Sequence, residues 1–529
     1  MFDVRCWMFV VLPSAVLHPP STILPLLLLL LGAFTASAAT RYVWQSSPSP
    51  APPYTNWTTA AHVLQDAVDA AQTGDEIVVT NGTYAAGGRA VVGTLTNRVA
   101  VDRPLTLRSV NGPRYTVIQG YQVPGTTNGD GAIRCAYLTN GASLSGFTLT
   151  NGATRSAGDS RDQSGGGVYG GTLNNCTLTG NSAQRLGGGA SGDFSGWDFV
   201  PVVLNHCTLT RNSAGDSGGG AAVSTLNHCT LSGNSATVKG GGGYESTLNH
   251  CTLAGNSAAG GGGASSSTLN NCLLRGNSAR DGGGAFVCTL NHCTLTGNSG
   301  GETSGGAYLS KLTNCIVYFN TATFYGENYS SCSLSYCCTT PDPGGDGNLT
   351  LDPLFLDLAG SNLRLQPNSP CINAGTNDYA PGSTDLDGRP RIVGSIVDIG
   401  AYEFQPGVSG QFIAWLQHYG LPTEGSADAT DPDADGHTTW QEWRCLTDPT
   451  NALSVLRLLT ASPAGTNVTV SWQSVAGVNY SLERGTDLSA TPPFTLLAAN
   501  LPGQPGTTSY TDTNAPVAPR LFYRVGVGL

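Results

Sequence analysis

From Thr172 to Cys338 one phrase recurs with small edits: TLNNCTLTGNSA, VLNHCTLTRNSA, STLNHCTLSGNSA, STLNHCTLAGNSA, STLNNCLLRGNSA, CTLNHCTLTGNSG and KLTNCIVYFNTA. The cysteines give the ruler: Cys176, Cys207, Cys229, Cys251, Cys272, Cys293, Cys315 and Cys337. The first interval, 31 residues, is stretched by the insert SGDFSGWDFVP; every later one is 21 or 22. A fixed period in the low twenties with no helix-forming stretch inside it means stacked coils. Glycine blocks between the phrases, at Gly187, Gly218, Gly240 and Gly282, forbid a helix and favour tight turns.

Each phrase reads as one coil. Side chains alternate along a strand, so in C-T-L the cysteine and leucine face in and the threonine faces out. Five residues after each cysteine stands an asparagine: Asn181, Asn212, Asn234, Asn256, Asn277, Asn298 and Asn320. Coils stack about 4.8 Å apart, which lets these amides hydrogen-bond in a ladder. Asparagine also suits the left-handed corner of a coil. The period predicts an all-β chain built on a right-handed parallel β-helix, since a left-handed one is built on hexapeptides with a period of roughly 18.

The chain has 529 residues, only 11% of them charged, and a net charge of −11. That balance argues against nucleic acid and anionic membrane surfaces as partners. Residues 1–38 read as an export signal, with a leucine run from Leu26 to Leu31 and the small-x-small pattern Ala36-Ser37-Ala38. The mature chain is therefore expected outside the cytoplasm, secreted or at the cell surface, and monomeric. Export permits disulfides. The parallel cysteines of the ladder are expected to be buried thiols; Cys332, Cys337 and Cys338 are better placed to bond. Cys288 takes a place that serine holds in neighbouring coils, which puts it at a turn.

Residues 39–97 hold a Pro/Ser-rich linker, Arg41 to Pro53, and then a helix capped by Thr58 or Thr59. Its apolar positions are Ala61, Leu64, Ala67, Val68 and Ala71; Gly74 stops it, and the strand Glu76-Ile77-Val78-Val79 follows. A solenoid exposes its core at each end, so this helix is the expected lid. Coils run over 98–340 and a closing segment over 341–406. Within the latter, Asp385, Asp387, Arg389, Arg391 and Asp398 read as a structural ion-pair cluster. Residues 407–452 form a connector with a short helix from Gln411 to Leu421 and the loop DPDADGHTTWQE. Counted from Asp431, carboxylates fall at positions 1, 3 and 5 (Asp431, Asp433, Asp435), Gly436 at 6, the His437 carbonyl at 7 and Glu442 at 12. That is an EF-hand layout, so one Ca²⁺ is the expected cofactor. Strand-like alternation with Trp472, Tyr480 and Tyr523 makes 453–529 a small β-sandwich.

Several stretches resemble known families. The helix followed by GDEIVVTNGTY and by PLTLRSVNGPRYTVIQG resembles the start of pectin-lyase-like β-helix proteins. The GGGA and GNSA phrases resemble polymorphic outer-membrane protein repeats, most nearly at Gly305-Gly306-Ala307-Tyr308 and Tyr318-Phe319-Asn320. The acidic loop is similar to dockerin-like calcium loops, of which dockerins carry two and this chain one. The last module resembles fibronectin type III. These resemblances imply an architecture, because the fold hosts unrelated functions.

No catalytic constellation emerges along the coils. The acids Asp216, Glu245 and Asp281 and the bases Arg211, Lys239, Arg275 and Arg280 look scattered, and the NTD, DD and GHG motifs of polygalacturonase-like hydrolases do not occur. The irregular coils from Arg98 to Ser164, with Arg103, Arg108, Asp130 and Arg134, are the place left for a site. His206, His228, His250 and His292 recur at one corner with Asn175 and Asn271 substituting, which reads as solvent-exposed corner residues rather than a transition-metal array. The expectation is therefore an exported, non-catalytic β-helix without an outer-membrane barrel, engaged in adhesion or contact with polysaccharide or cell-surface glycans. The alternative is a polysaccharide lyase or glycoside hydrolase with a divergent site.

Overall fold

The computed structural model describes residues 5–10, 38–193, 200–366, 368–379, 382–393, 396–405, 409–422, 427, 430–465, 467–487, 494–516 and 520–527. The repeat becomes a right-handed parallel β-helix whose coil crosses four sheets in turn. Sheet 1 has twelve strands, from Thr40–Val43 to Ser333–Ser335, and sheet 2 has eleven, from Gly82–Tyr84 to Cys338–Thr339. Sheet 3 has seven, from Ser182–Ala183 to Thr321–Ala322, and sheet 4 has ten, from Thr96–Val101 to Tyr329–Ser330. Pairing is in register from coil to coil: Leu226 faces Leu248 and Leu248 faces Leu269. The inward leucines of sheets 1 and 2 thus stack into fully buried columns with the thiol column between them. Each buried leucine contributes roughly 1.5–3 kcal/mol.

The amide ladder lies inside, as its spacing predicts. Asn256 donates from its backbone N–H and from Nδ2 to Oδ1 of Asn277, at 3.0 and 2.9 Å, and from Nδ2 to the Leu231 carbonyl at 2.9 Å. One expectation is corrected. The left-handed corner belongs to the residue before each asparagine (Gly180, Arg211, Gly233, Gly255, Gly276, Gly297, Phe319), because the turn must be complete before the amide can aim inward. Left-handed φ also holds at the histidine column, from Asn175 through His206, His228, His250 and Asn271 to His292, and histidine and asparagine are among the residues that tolerate it. The glycine blocks answer to close approach: a Cβ on Gly219 would lie 2.2 Å from the Ser235 carbonyl oxygen of the next coil.

The N-terminal stretch departs from the expected linker. Thr40–Val43 opens sheet 1 beside Glu76–Val79, and Arg41 pairs with Asp75 at 2.9 Å. Helix α1, Leu64–Ala70, starts after the predicted caps because Ala61 is already paired with Val43. Leu64, Ala67 and Val68 join the solenoid core as the lid requires. All fourteen cysteines from Cys135 to Cys445 are free thiols, so the bonding expected of Cys332, Cys337 and Cys338 does not occur. Cys288 lies on the serine column, taking a hydrogen-bonded place beside Ser310 Oγ at 3.0 Å.

The closing segment covers the outer face of the last coils of sheet 2, where Leu273, Ile316 and Cys338 share a core with Phe355, Leu363, Leu365, Cys371 and Ile399. Helices α2 (Ser409–His418) and α3 (Thr439–Cys445) follow. The final module is an antiparallel β-sandwich around Trp472, Tyr480 and Tyr523, with sheets Leu458–Ala464/Asn467–Ser474/Gly506–Asp512 and Asn479–Gly485/Thr495–Pro502/Leu521–Val527. Arg5–Val10, within the stretch expected to be an export signal, pairs antiparallel with Leu521–Val527, and the leucine run of that stretch lies outside the described residues. Among the described residues no helix is long and apolar enough to cross a membrane.

Replacing Asn256 by leucine strands the donors and acceptors it now satisfies and should cost about 1–3 kcal/mol. Because repeat stability is nearest-neighbour in character, hydrogen exchange should quicken around Asn234 and Asn277 before the distant coils. Unchanged protection there would contradict an inward ladder.

Candidate functional site

The irregular early coils bring charged side chains together at the head of sheet 4. A cavity of about 120 Å³ is walled by Thr94–Thr96, Asp130–Ala132 and Arg155. Arg155 Nη2 meets Asp130 Oδ1 at 2.5 Å, and its Nη1 donates to Thr94 Oγ1. Asp130 is largely exposed, whereas the Arg155 side chain is mostly covered. Asp162 lies beneath, accepting from the backbone N–H of Thr94 at 2.9 Å and of Leu95 at 3.3 Å.

Arg134 ties this cavity to the face of the sheet. It is buried and donates to Asn97 Oδ1 and Gly165 O at 2.9 Å, to Ser164 O at 2.7 Å and to Arg161 O. Burial pulls its guanidinium down to about 10, which leaves it charged at neutral pH. Its Cζ lies 5.2 Å from the ring centre of Tyr169, a cation–π contact. Tyr169 stacks on Tyr137 at 6.2 Å and donates its hydroxyl to Asp193 Oδ1 at 2.8 Å. Burial, reinforced by Asp193, raises the phenol well above its ordinary range. The register then runs this outward row down the sheet: Tyr137, Tyr169, Ser191, Ala222, Tyr244, Ser265, Phe286 and Tyr308.

Of the charged residues singled out in the early coils, Asp130 and Arg134 join this cluster. Arg103 turns to Asp102 and the Ala71 carbonyl, and Arg108 to Glu76. The aromatic row and the pairing of Arg155 with Asp130 escaped the sequence reading. A signal for the row was present: an aromatic two residues after a glycine, as in Gly167-Val168-Tyr169 and Gly306-Ala307-Tyr308.

The acidic loop folds as its spacing requires. Gly436 makes the bend at φ +96°, and carboxylate oxygens of Asp431, Asp433 and Asp435 lie within 4.8 Å of one another. Backbone N–H groups shape the turn, Gly436 to Asp431 Oδ2 at 2.9 Å and His437 to Asp435 Oδ1 at 2.8 Å. A capping box of Thr438 and Gln441 starts α3 and carries Glu442, which is fully buried. Asp433 Oδ2, Asp435 Oδ2 and Glu442 Oε2 are buried oxygens without a hydrogen-bond partner. Burial, with Asp433 and Asp435 beside it, pushes the Glu442 carboxyl up to about 8. Unpaired buried carboxylates are costly, and a hard divalent cation with oxygen ligands supplies the missing charge. The residues fit such an ion.

Two other constellations are structural. Asp385 accepts from the backbone of Arg389 and Glu403 at 2.8 and 3.0 Å, while Arg391 donates to the carbonyls of Asp398, Gly400 and Ala401. These groups hold the closing segment's own backbone. In the histidine column the rings of His206, His228 and His250 stack at 5.0 and 4.8 Å. His206 and His228 are exposed as expected; His292 is corrected to fully buried, with Nε2 3.0 Å from Asn314 Nδ2, because the closing segment lies over that corner.

No protein-family model matches the sequence, and no curated protein does. Solved structures share the fold. A pectate lyase is 13% identical, covering 70% of this chain and 98% of its own, with a TM-score of 0.43. A rhamnogalacturonan lyase is 12% identical, covering 63% and 94%, at 0.32. The A-module of an Azotobacter vinelandii mannuronan C-5 epimerase is 12% identical, covering 55% and 96%, at 0.27. The parallel β-helix that the sheet topology shows resembles the fold of these structures. The expectation of a non-catalytic chain is corrected: the matched structures include ones named as lyases, an epimerase, methylesterases and a capsular polysaccharide depolymerase. The missing NTD, DD and GHG motifs speak only to one hydrolase pattern. Charged groups that look scattered along the chain converge once loops from separate coils meet.

The buried histidine gives a pH expectation. Burial, with Arg391 near, pulls the His292 imidazole down to about 2, against about 6.5 when unfolded. Below about pH 6.5 the unfolded chain takes a proton that the folded chain refuses, so acid destabilises the fold through this group. Asp385 and Glu403, pushed up by burial to about 7 and about 8, act in the opposite sense in the same segment. The difference between two proteins isolates the imidazole. His292→Asn, which places there the residue found at 271 and 314, should show a shallower loss of stability between about pH 6.5 and 4 in urea titrations. Parallel pH profiles would contradict the burial.

Proposed function

We propose that this chain is an exported, carbohydrate-active β-helix protein that cleaves a polysaccharide held against the outer face of sheet 4. The observation that carries this reading is the exposed Asp130 carboxylate, paired with Arg155 at the mouth of the one cavity described above. A carboxylate so placed takes up or delivers a proton at the reacting bond. The guanidinium beside it balances negative charge that develops on a substrate oxygen. Arg134 and Asp162 position the loops that carry these two groups. Export rests on the apolar leader of residues 1–38.

The test is a panel of acidic and neutral polysaccharides assayed for new reducing ends and for unsaturated products. Asp130→Asn should fold normally, since the side chain is exposed, and lose about 10²–10⁴-fold in rate. No cleavage of any panel member by the wild type would overturn the reading.

The same reading assigns one Ca²⁺ to Asp431, Asp433, Asp435, Glu442 and the His437 carbonyl, where it neutralises four carboxylates and stiffens the connector. An extracellular loop of this kind is expected to bind at roughly 10⁻⁴–10⁻³ M. Limited proteolysis of wild type and Glu442→Gln, each with and without calcium, should show protection between Gly407 and Asn451 in the calcium-loaded wild type alone. Equal cleavage in all four samples would refute the ion.

A further inference from the structure

We infer that the lower half of the sheet 4 face binds a neutral polysaccharide, its sugar rings resting on Tyr244, Phe286 and Tyr308, and that the bond cleaved is hydrolysed rather than eliminated. The inference rests on the proposed carbohydrate activity and adds the class of substrate.

The three aromatics occupy one outward register column, Tyr244 two coils before Phe286 and Tyr308 one coil after it. At about 4.8 Å per coil the first step spans about 10 Å. Phe286 and Tyr308 stack with centres 5.7 Å apart and planes 20° from parallel. All three rings are half-buried. Glycine makes room for one of them: a Cβ on Gly260 would lie 3.1 Å from Phe286 Cδ1. The half-buried rings thus form an apolar strip along the outward column of sheet 4. The polarised C–H face of a pyranose ring suits the electron-rich face of such a ring, and a linear glycan repeats along its axis as the coils do.

The charge around the steps selects against an acidic chain. Tyr244 has the carboxylates of Glu245 and Asp216 near it, and burial with these two charges raises its phenol above the ordinary range. Arg280 is already held by Asp281 at 2.9 Å and Glu302 at 3.8 Å. Lys239 lies over Phe286, its Nζ 5.8 Å from the ring centre. Four carboxylates against these two cations and Arg185, whose carbonyl accepts from the Asp216 N–H on the adjoining coil, leave a net acidic rim on a chain whose net charge is −11. A polyuronate would meet repulsion along its length. Elimination needs the acidic proton beside a uronate carboxyl, which a neutral chain lacks. In hydrolysis the water's hydroxyl goes to the anomeric carbon and its proton to the departing sugar oxygen, and nothing is oxidised or reduced.

The experiment measures binding apart from turnover. Full-length Asp130→Asn is titrated calorimetrically with xylan, mixed-linkage β-glucan and polygalacturonate, in parallel with Asp130→Asn carrying Phe286→Ala and Tyr308→Ala. The expected result is binding to a neutral glycan that weakens at least tenfold on removing the two rings, with polygalacturonate at least tenfold weaker throughout. Circular dichroism of both proteins should coincide, because the rings lie outside the core. Polygalacturonate binding as tightly as the neutral glycans, or neutral binding indifferent to the two rings, would overturn the inference. Ring-dependent neutral binding with no cleavage by the wild type would support the platform and overturn the proposed activity instead.

Discussion

The inward amide ladder is the interaction on which the rest of this structure depends. Each asparagine Oδ1 accepts both the backbone N–H and the Nδ2 of its neighbour, so one coil is satisfied only by the next. Shifting a coil by one residue would swap leucine for threonine in the core and leave the amides unpaired. Register is therefore fixed at every coil, and the glycine blocks let backbones approach closely enough to keep it. A second ladder on the outer face of sheet 1, from Asn174 through Asn205, Asn227, Asn249 and Asn270 to Asn291, repeats the device with each Nδ2 2.9–3.0 Å from the preceding Oδ1.

Fixed register turns sequence differences into spatial ones. A residue that varies at one place in the phrase becomes a step in a straight row on the surface, at a known height. The aromatics of sheet 4 are such steps, inserted where other coils carry Ser191, Ala222 or Ser265. The early coils escape the period altogether, so their loops can cross the top of that row and bring Asp130, Arg134, Arg155 and Asp162 within reach of one another. The regular coils supply the support, and the irregular ones gather the charged groups.

This division explains what the sequence made legible. The period, the inward ladder, the lid residues Leu64 and Val68, and the acidic loop all depend on contacts that spacing encodes. The corner residues were misjudged because a left-handed φ belongs to backbone geometry and shifts by one position without changing the pattern. Thr40–Val43 hid as a linker because a four-residue strand at the end of a stack has no repeat to announce it. The Asp130–Arg155 pair joins residues on separate loops that no period relates. His292 looks like its exposed neighbours in sequence and differs only in what the closing segment covers.

The connector shows how independent modules are held in one geometry. Arg389, in the closing segment, lies with its Cζ 4.1 Å from the ring centre of Trp440 and 5.4 Å from that of Phe412. Those rings belong to the cluster that packs α2 against α3. Cys445, at the far end of α3, is buried in the sandwich core with Leu456 and Tyr480. One short helix therefore touches the solenoid's closing segment near its start and the sandwich at its end. The acidic loop immediately precedes it and reaches into it through Glu442. Charge in that loop bears directly on the orientation of α3: the carboxylates of Asp431, Asp433 and Asp435 crowd together in a partly dry site and, with burial, keep a proton on Glu442, and the start of the helix is where that crowding acts. An ion there would set the angle at which the sandwich leaves the solenoid, while the coils, held by their own ladder, would be indifferent to it.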